Sequence, residues 1–237
     1  MQDNREEAGM SKKRITINVL LILAAFGVIV FGVRMFQDRR YNLISILIAF
    51  LACIPFYMAY EKKEGSIRRM VVLAVMVAIS VVGRLIFAVL PGFKPVTAIV
   101  VIAAIYMGSE SGFLIGSLSA IISNMFYGQG PWTPFQMLAW GSLGLIAGLP
   151  VMQKILKNRG ILAVYGFLAG FGYSAIMDIW TVLSFDGSFS LARYLTVQAI
   201  ALPVSIEYAI SNVVFLMLGI GPIGRKLKRI NIKHGIF

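Results

Sequence analysis

"NMFYGQGPWTPFQMLAWG", residues 124–141, interrupts a strongly apolar chain without contributing a single charge. It places glycines at 128, 130 and 141, prolines at 131 and 134, and tryptophans at 132 and 140. Apolar runs at 111–127 and 133–153 overlap it on either side. Whether such a stiff, aromatic, uncharged turn makes sense depends on the solvent around it. The chain of 237 residues is 59% hydrophobic and 14% charged, with a mean hydropathy of +0.84. A soluble domain is roughly 45–50% apolar and about 25% charged. The solvent is therefore lipid, and the chain is read as an all-α integral membrane protein embedded in a bilayer.

Working outward, apolar runs occur at 15–33, 43–60, 70–90, 95–107, 111–127, 133–153, 161–184 and 194–222. Several have the length and the scarcity of charge expected of membrane-spanning helices. The run 95–107 is short for a span and is expected to be tilted, broken or shielded by neighbours. Lys12, Lys13 and Arg14 precede the first run, but it is too long for a signal-peptide core and no small-residue cleavage site follows it. It is read as a retained helix. The segments are thus a polar N-terminal tail (1–14), an extra helical hairpin (15–62), a six-helix membrane domain (68–224) and a basic tail (225–237).

Eight spans leave both termini on one side. Most lysines and arginines fall in the N-terminus, in "EKKEGSIRR" (61–69), in "KILKNRG" (154–160) and in the C-terminal tail, whereas the opposite connections hold only Arg34, Arg39, Arg40, Lys94 and Arg193. The positive-inside rule then puts both termini in the cytoplasm of a multi-pass cell-membrane protein. The loop "RMFQDRRYN" fits this poorly, so a first hairpin that does not fully span is the alternative. The net charge of +12 is spread in short runs between apolar segments, as membrane anchors are, and does not indicate nucleic-acid binding.

Catalytic and metal chemistry find little support. Cys53 and His234 stand alone in the sequence, so neither a disulfide framework nor a Cys/His metal site is expected. "GIGPIGRK" (219–226) loosely resembles a phosphate loop, but Arg225 and Lys226 occupy the Lys and Ser/Thr positions. No metalloprotease, nucleophile-elbow or paired-carboxylate motif occurs, and no enzyme activity or cofactor is expected.

The features that bear on binding gather in the six-helix part. Three connections face outward, "LPGFKPV" (90–96), "FYGQGPWTPFQ" (126–136) and "SFDGSFSLAR" (184–193). Trp132 and Trp140 fit an interfacial aromatic belt when taken singly. Together with Pro131, Pro134, Gln129, Thr133 and Gln136 they suit one wall of a pocket for a large, part-apolar organic ligand. Arg84, Asp178 and Glu207 are ionisable residues inside apolar runs, which marks a partner, a cavity or a ligand. Arg84 and Asp178 either pair with each other or edge the pocket, and Lys94 in the first outer loop is a further substrate-binding candidate. Small residues four apart (Ala74/Ala78, Gly112/Gly116/Ala120, Gly144/Gly148, Gly166/Gly170) form faces where helices approach closely, and internal packing explains most of them.

Residues 68–222 resemble the substrate-binding S component of energy-coupling factor (ECF) vitamin transporters. The resemblance is carried by "AVMVAISVVGRLIF" (74–87), "PGFKPVTAIVVIAAIYMG" (91–108), "GFLIGSLSAIISNMFYGQGPWTPFQMLAWG" (112–141) and "YSAIMDIWTVLSF" (173–185). It implies a six-helix bundle, here preceded by two extra helices. It also implies capture of a vitamin from outside, with a transmembrane (T) component and two cytoplasmic ATPase subunits as partners. It assigns substrate contacts to Asn124, Gln129, Trp132, Gln136, Trp140, Asp178 and Trp180, and T-component docking to Ala74 and Ala78. Within the family the chain looks most like the group assigned to cobalamin, and its uncharged aromatic loops suit riboflavin almost as well. The rival reading is a stand-alone ion-coupled transporter with Asp178 or Glu207 as relay, for which the sequence offers no inverted repeat.

Overall fold

A computed structural model describes residues 67–235. The expected N-terminal tail and hairpin, 1–62, lie outside the described residues. The described residues form helices α1 (Ile67–Ile86), α2 (Val96–Met107), α3 (Ser109–Tyr127), α4 (Thr133–Ala147), α5 (Pro150–Ile155), α6 (Arg159–Asp186) and α7 (Leu191–His234), with no strand among them. Of these, α1, α6 and α7 are long and apolar enough to cross a membrane.

Five of the six apolar runs in this part each give one helix. The run 133–153 gives two, because Pro150 has no N–H to extend the ladder of α4. It takes the first helical position of α5 instead, after Leu149 at φ −62° and ψ 141°. The short run becomes α2, whose 12 residues rise about 18 Å against the ~30 Å of a hydrocarbon core. All of them except Tyr106 are buried, and α1, α3, α4 and α7 surround the helix. Shielding by neighbours thus accounts for its length. The apolar perimeter lies mainly on α1 (Val71, Val75, Ile79, Val82), α6 (Val164, Phe167, Leu168) and α7 (Leu195, Ile200, Ile206), whose side chains are exposed to the surroundings.

The helices alternate in direction. Arg68 donates to Nδ1 of His234 at 3.4 Å, so α1 begins where α7 ends. Arg69 donates to the Met107 carbonyl and to Ser111 Oγ, at 3.2 and 3.0 Å, which brings the α2–α3 junction to this same basic end. The connections 87–95, 128–132 and 187–190 lie at the far end. There Arg193 grips Asp186 through Nε and Nη2, at 3.0 and 3.1 Å, and closes the α6–α7 turn. The segment 225–234, read from sequence as a tail, continues α7.

Most of the small residues are spent inside the bundle. A β-carbon on Gly112 would lie 2.6 Å from the Gly144 carbonyl oxygen, and one on Gly116 would lie 2.5 Å from the Trp140 carbonyl group. On α6, Gly166 packs against Leu216 and Gly170 against the backbone at Ala209 of α7. Ala74 and Ala78 differ, since both are exposed. Gly112→Val should therefore abolish the monodisperse species in size-exclusion chromatography, because the blocking atoms, the Gly144 backbone and the short Ala104 β-carbon, cannot yield; overpacking costs about 1–3 kcal/mol even where neighbours can shift. Gly172→Ala, whose β-carbon meets only Leu143 at 3.6 Å, should leave the elution profile and melting temperature unchanged.

Candidate ligand-binding site

The register that packs α3 on α4 also aligns their polar residues near the far end. Asn124, three residues before the end of α3, is buried and lies beside the first turn of α4. Its amide nitrogen donates to Thr133 Oγ1 at 2.9 Å and to Gln136 Oε1 at 2.8 Å, while its oxygen accepts from Arg84 Nη1 at 2.8 Å. Arg84 Nη1 also donates to Ser123 Oγ. Gln136 Nε2 donates onward to the Tyr173 hydroxyl at 3.1 Å. A continuous polar chain thus runs from α1 through α3 and α4 to α6. In the loop beside it, Thr133 donates to Gln129 Oε1 at 3.0 Å and Gln129 Nε2 to the Ile121 carbonyl at 2.7 Å, which pins the segment before α4.

Aromatic rings enclose this chain. The Arg84 guanidinium carbon lies 4.6 Å from the Tyr127 ring centre and 5.1 Å from that of Trp140. Trp140 stacks on Tyr173 at 5.1 Å, and Tyr208 meets Tyr173 edge-on at 5.1 Å. The Tyr127 hydroxyl donates to the Arg84 carbonyl at 2.7 Å, which fixes that ring beside the cation. Arg84 itself is only 8% exposed. Among the described residues no carboxylate pairs with it, and its Nε is buried without a hydrogen-bond partner. A buried guanidinium costs on the order of several kcal/mol in desolvation. Here only neutral oxygens and ring faces offset that cost.

Lys94 reaches the same neighbourhood from the 87–95 connection, with Nζ 5.7 Å from the Tyr127 ring centre. Burial, together with the positive charge of Arg84, pulls its pKa below the usual lysine range; Glu207 acts in the opposite sense. The backbone carbonyl of Lys94 accepts from Ser211 Oγ of α7 at 3.1 Å, so this connection is anchored against the bundle.

The structure gathers Arg84, Lys94, Asn124, Gln129, Gln136 and Trp140 into one neighbourhood. The others stand apart from its hydrogen-bond chain. Asp178 accepts from Gln198 Nε2 at 2.9 Å, and Gln198 also donates to the Tyr194 hydroxyl at 3.2 Å. Of the two alternatives for Arg84 and Asp178, the direct pair is therefore not formed, because each side chain is taken up by neutral partners on different helices. Trp180 packs on Phe135 at 5.5 Å between ring centres. Trp132, 36% exposed, folds back over Gly130. Ser123, Tyr127, Tyr173 and Tyr208 were not singled out from sequence. For Tyr173 a signal existed, because 166, 170 and 173 follow one helical face and the glycine stripe leads directly to it.

The family model described as ECF-type riboflavin transporter, S component, matches residues 64–229. The chain belongs to this family. It is accordingly a membrane subunit of an ECF-type transporter, and not an enzyme. The S-component family also implies a small-molecule vitamin substrate and T-component and ATPase partners. A UPF0397 protein of Vibrio atlanticus (strain LGP32) is 29% identical over 130 residues, covering 48% of this chain and 71% of the relative. UPF0397 proteins of Aliivibrio fischeri (strain MJ11) and Aliivibrio salmonicida (strain LFI1238) are likewise 29% identical over 130 residues, with 48% of this chain and 70% of each relative covered. No solved structure matches the chain.

Because Asn124 bridges three side chains, Asn124→Ala should lower thermal stability in detergent by about 1–3 kcal/mol, the cost of leaving buried partners unsatisfied. Arg84→Met and Asp178→Leu share no partner. Their combined effect on stability should equal the sum of the single effects within about 0.5 kcal/mol; a larger discrepancy would reveal a coupling that the contacts do not contain.

Proposed function

We propose that this chain captures a vitamin from outside the cell at the Arg84–Asn124–Gln136–Trp140 cluster and presents it to a T component driven by two cytoplasmic ATPase subunits. The distribution of lysine and arginine supports a cytoplasmic position for the basic end, and the cluster lies toward the opposite end. The observation that carries this reading is a continuous, buried chain of amide and hydroxyl groups flanked by stacked aromatic rings. Such a site can bind a ring system by stacking and orient it by a few hydrogen bonds. Asp178 and Trp180 form a second tier nearer the α6–α7 turn, where a bulky ligand would meet them. Gln129, Lys94 and Trp132 lie on the connections at the far end, where a ligand arriving from outside would meet them first.

The family description favours riboflavin as the first compound to test. Cobalamin remains the second reading because of one observation: among the described residues, Arg84 has no carboxylate partner. A phosphate would neutralise it; cobalamin carries a phosphodiester and riboflavin carries none. Titration of the purified protein with each compound, followed by tryptophan fluorescence, separates the two. The true substrate should quench emission saturably. Gln136→Ala and Trp140→Ala should each weaken it roughly 10-fold or more, the scale of one lost buried hydrogen bond or ring contact. Unaltered affinity in both variants removes the cluster from substrate binding.

Ala74 and Ala78 support the partner half of the proposal. With Leu73, Val77, Val81 and Leu118 they line an apolar groove of about 360 Å³ between α1 and α3. A helix of the T component would fit here through close van der Waals contact, which is how helices associate within lipid. Ala74→Trp and Ala78→Trp should express, fold and bind vitamin as the parent does, because both side chains point away from the core. Each should lose co-purification with the T component and ATP-dependent uptake into vesicles. Normal association by both variants takes this groove out of the mechanism.

A further inference from the structure

A second cavity lies at the basic end, remote from the Arg84 cluster. It occupies about 240 Å³ where the end of α2, the α5–α6 junction and α7 meet. Lys157 and Arg159 enter it from the junction, and Arg225 and Lys228 from α7. The latter two are three residues apart and so share a helix face. Tyr106 and Leu162 contribute to the wall, and no carboxylate lines the cavity. Among the described residues, none of the four cations has a hydrogen-bonded or ion-paired partner. The amide groups opening α6 are not what makes the site attractive to an anion, because Asn158 Oδ1 already accepts from the N–H groups of Gly160 and Ile161, at 2.8 and 3.3 Å.

Cations scattered over this face would anchor the protein by ordinary attraction to an anionic membrane. Convergence is a different matter. Four like charges drawn from two separate segments into one concave space repel one another, and a multivalent oxygen anion relieves that repulsion. Arginine forks suit phosphate in particular, through paired N–H donors. The apolar wall at Leu162 favours a phosphate that carries an uncharged substituent, and basic pockets between helices on the cytoplasmic side are established sites for phospholipid headgroups. We propose that this cavity binds a phosphate group, offered by an anionic phospholipid headgroup or as free phosphate.

The test compares full-length protein with two variants that lose equal charge. Arg159→Gln/Arg225→Gln removes cations that line the cavity. Lys226→Gln/Arg229→Gln removes neighbouring cations of α7 that do not. Phosphatidylglycerol is titrated into micelles of a phosphate-free, uncharged maltoside detergent holding each protein, and binding is read by native mass spectrometry and by thermal shift. The first variant should bind phosphatidylglycerol roughly 30-fold more weakly than the parent, and the second within about twofold of it. Lys228→Gln alone should give a smaller loss in the same direction, and serves if the first variant does not fold. Inorganic phosphate is titrated in a second arm. Protection of the parent by phosphate alone, lost in the cavity variant, identifies free phosphate as the occupant; a response confined to the lipid identifies the headgroup. Equal losses in the two charge-matched variants would mean bulk attraction and would overturn the proposal. So would unaltered binding in both cavity variants, or a parent that responds to neither phosphate source.

Discussion

The contact between α3 and α4 sets the geometry of the rest. Gly112 lies against Gly144 and Gly116 against the Trp140 carbonyl, with backbone meeting backbone. The helices run in opposite directions, so each turn gained along α3 is matched by a turn given back along α4. Followed toward the far end, that register brings Asn124 beside Thr133 and Gln136. The polar cluster is thus a downstream result of where glycines occur. A wider spacing between the two helices would separate Asn124 from Thr133 and Gln136 and cut the polar chain between α3 and α4.

Lipid explains why these glycines are needed. In a bilayer, burying apolar surface between helices gains little, because lipid tails are as apolar as leucine. Close packing and internal hydrogen bonds must hold the bundle instead. α2 and α4 are buried almost throughout. The non-helical backbone at 87–95 can lie against the bundle because it is anchored there, as the bond from Ser211 to the Lys94 carbonyl shows.

Much of this was legible in the sequence. Long apolar runs mark the membrane helices, and the polar residues of the 124–141 stretch stand out because lipid makes each of them costly. The division of 133–153 into two helices was visible in principle at Pro150. Of the two alternatives open for Arg84 and Asp178, the direct pair is not formed, for a physical reason: similar depth in a membrane does not fix the direction in which two helices turn their side chains. Gln198, a neutral residue with no signal of its own, takes Asp178. The tyrosines around Arg84 escaped notice because aromatic residues are common in membrane helices, and only tertiary packing tells a ring over a cation from a ring facing lipid.

The brevity of α2 has a consequence for how the protein is made. Twelve residues cannot hold a position in a bilayer by themselves, and a single residue, Gly108 at φ +90°, joins α2 to α3. The pair must therefore enter the membrane as one hairpin. One side of α2 then waits for cover, because Ile102 packs at Gly219 and Tyr106 at Gly224, both on α7. Until that stretch of α7 has left the ribosome, the innermost helix lacks part of its wall. Completion of the fold thus waits for this part of α7, and a chain stopped short of Gly219 would carry every residue of the Arg84 cluster without the stretch of α7 that covers α2.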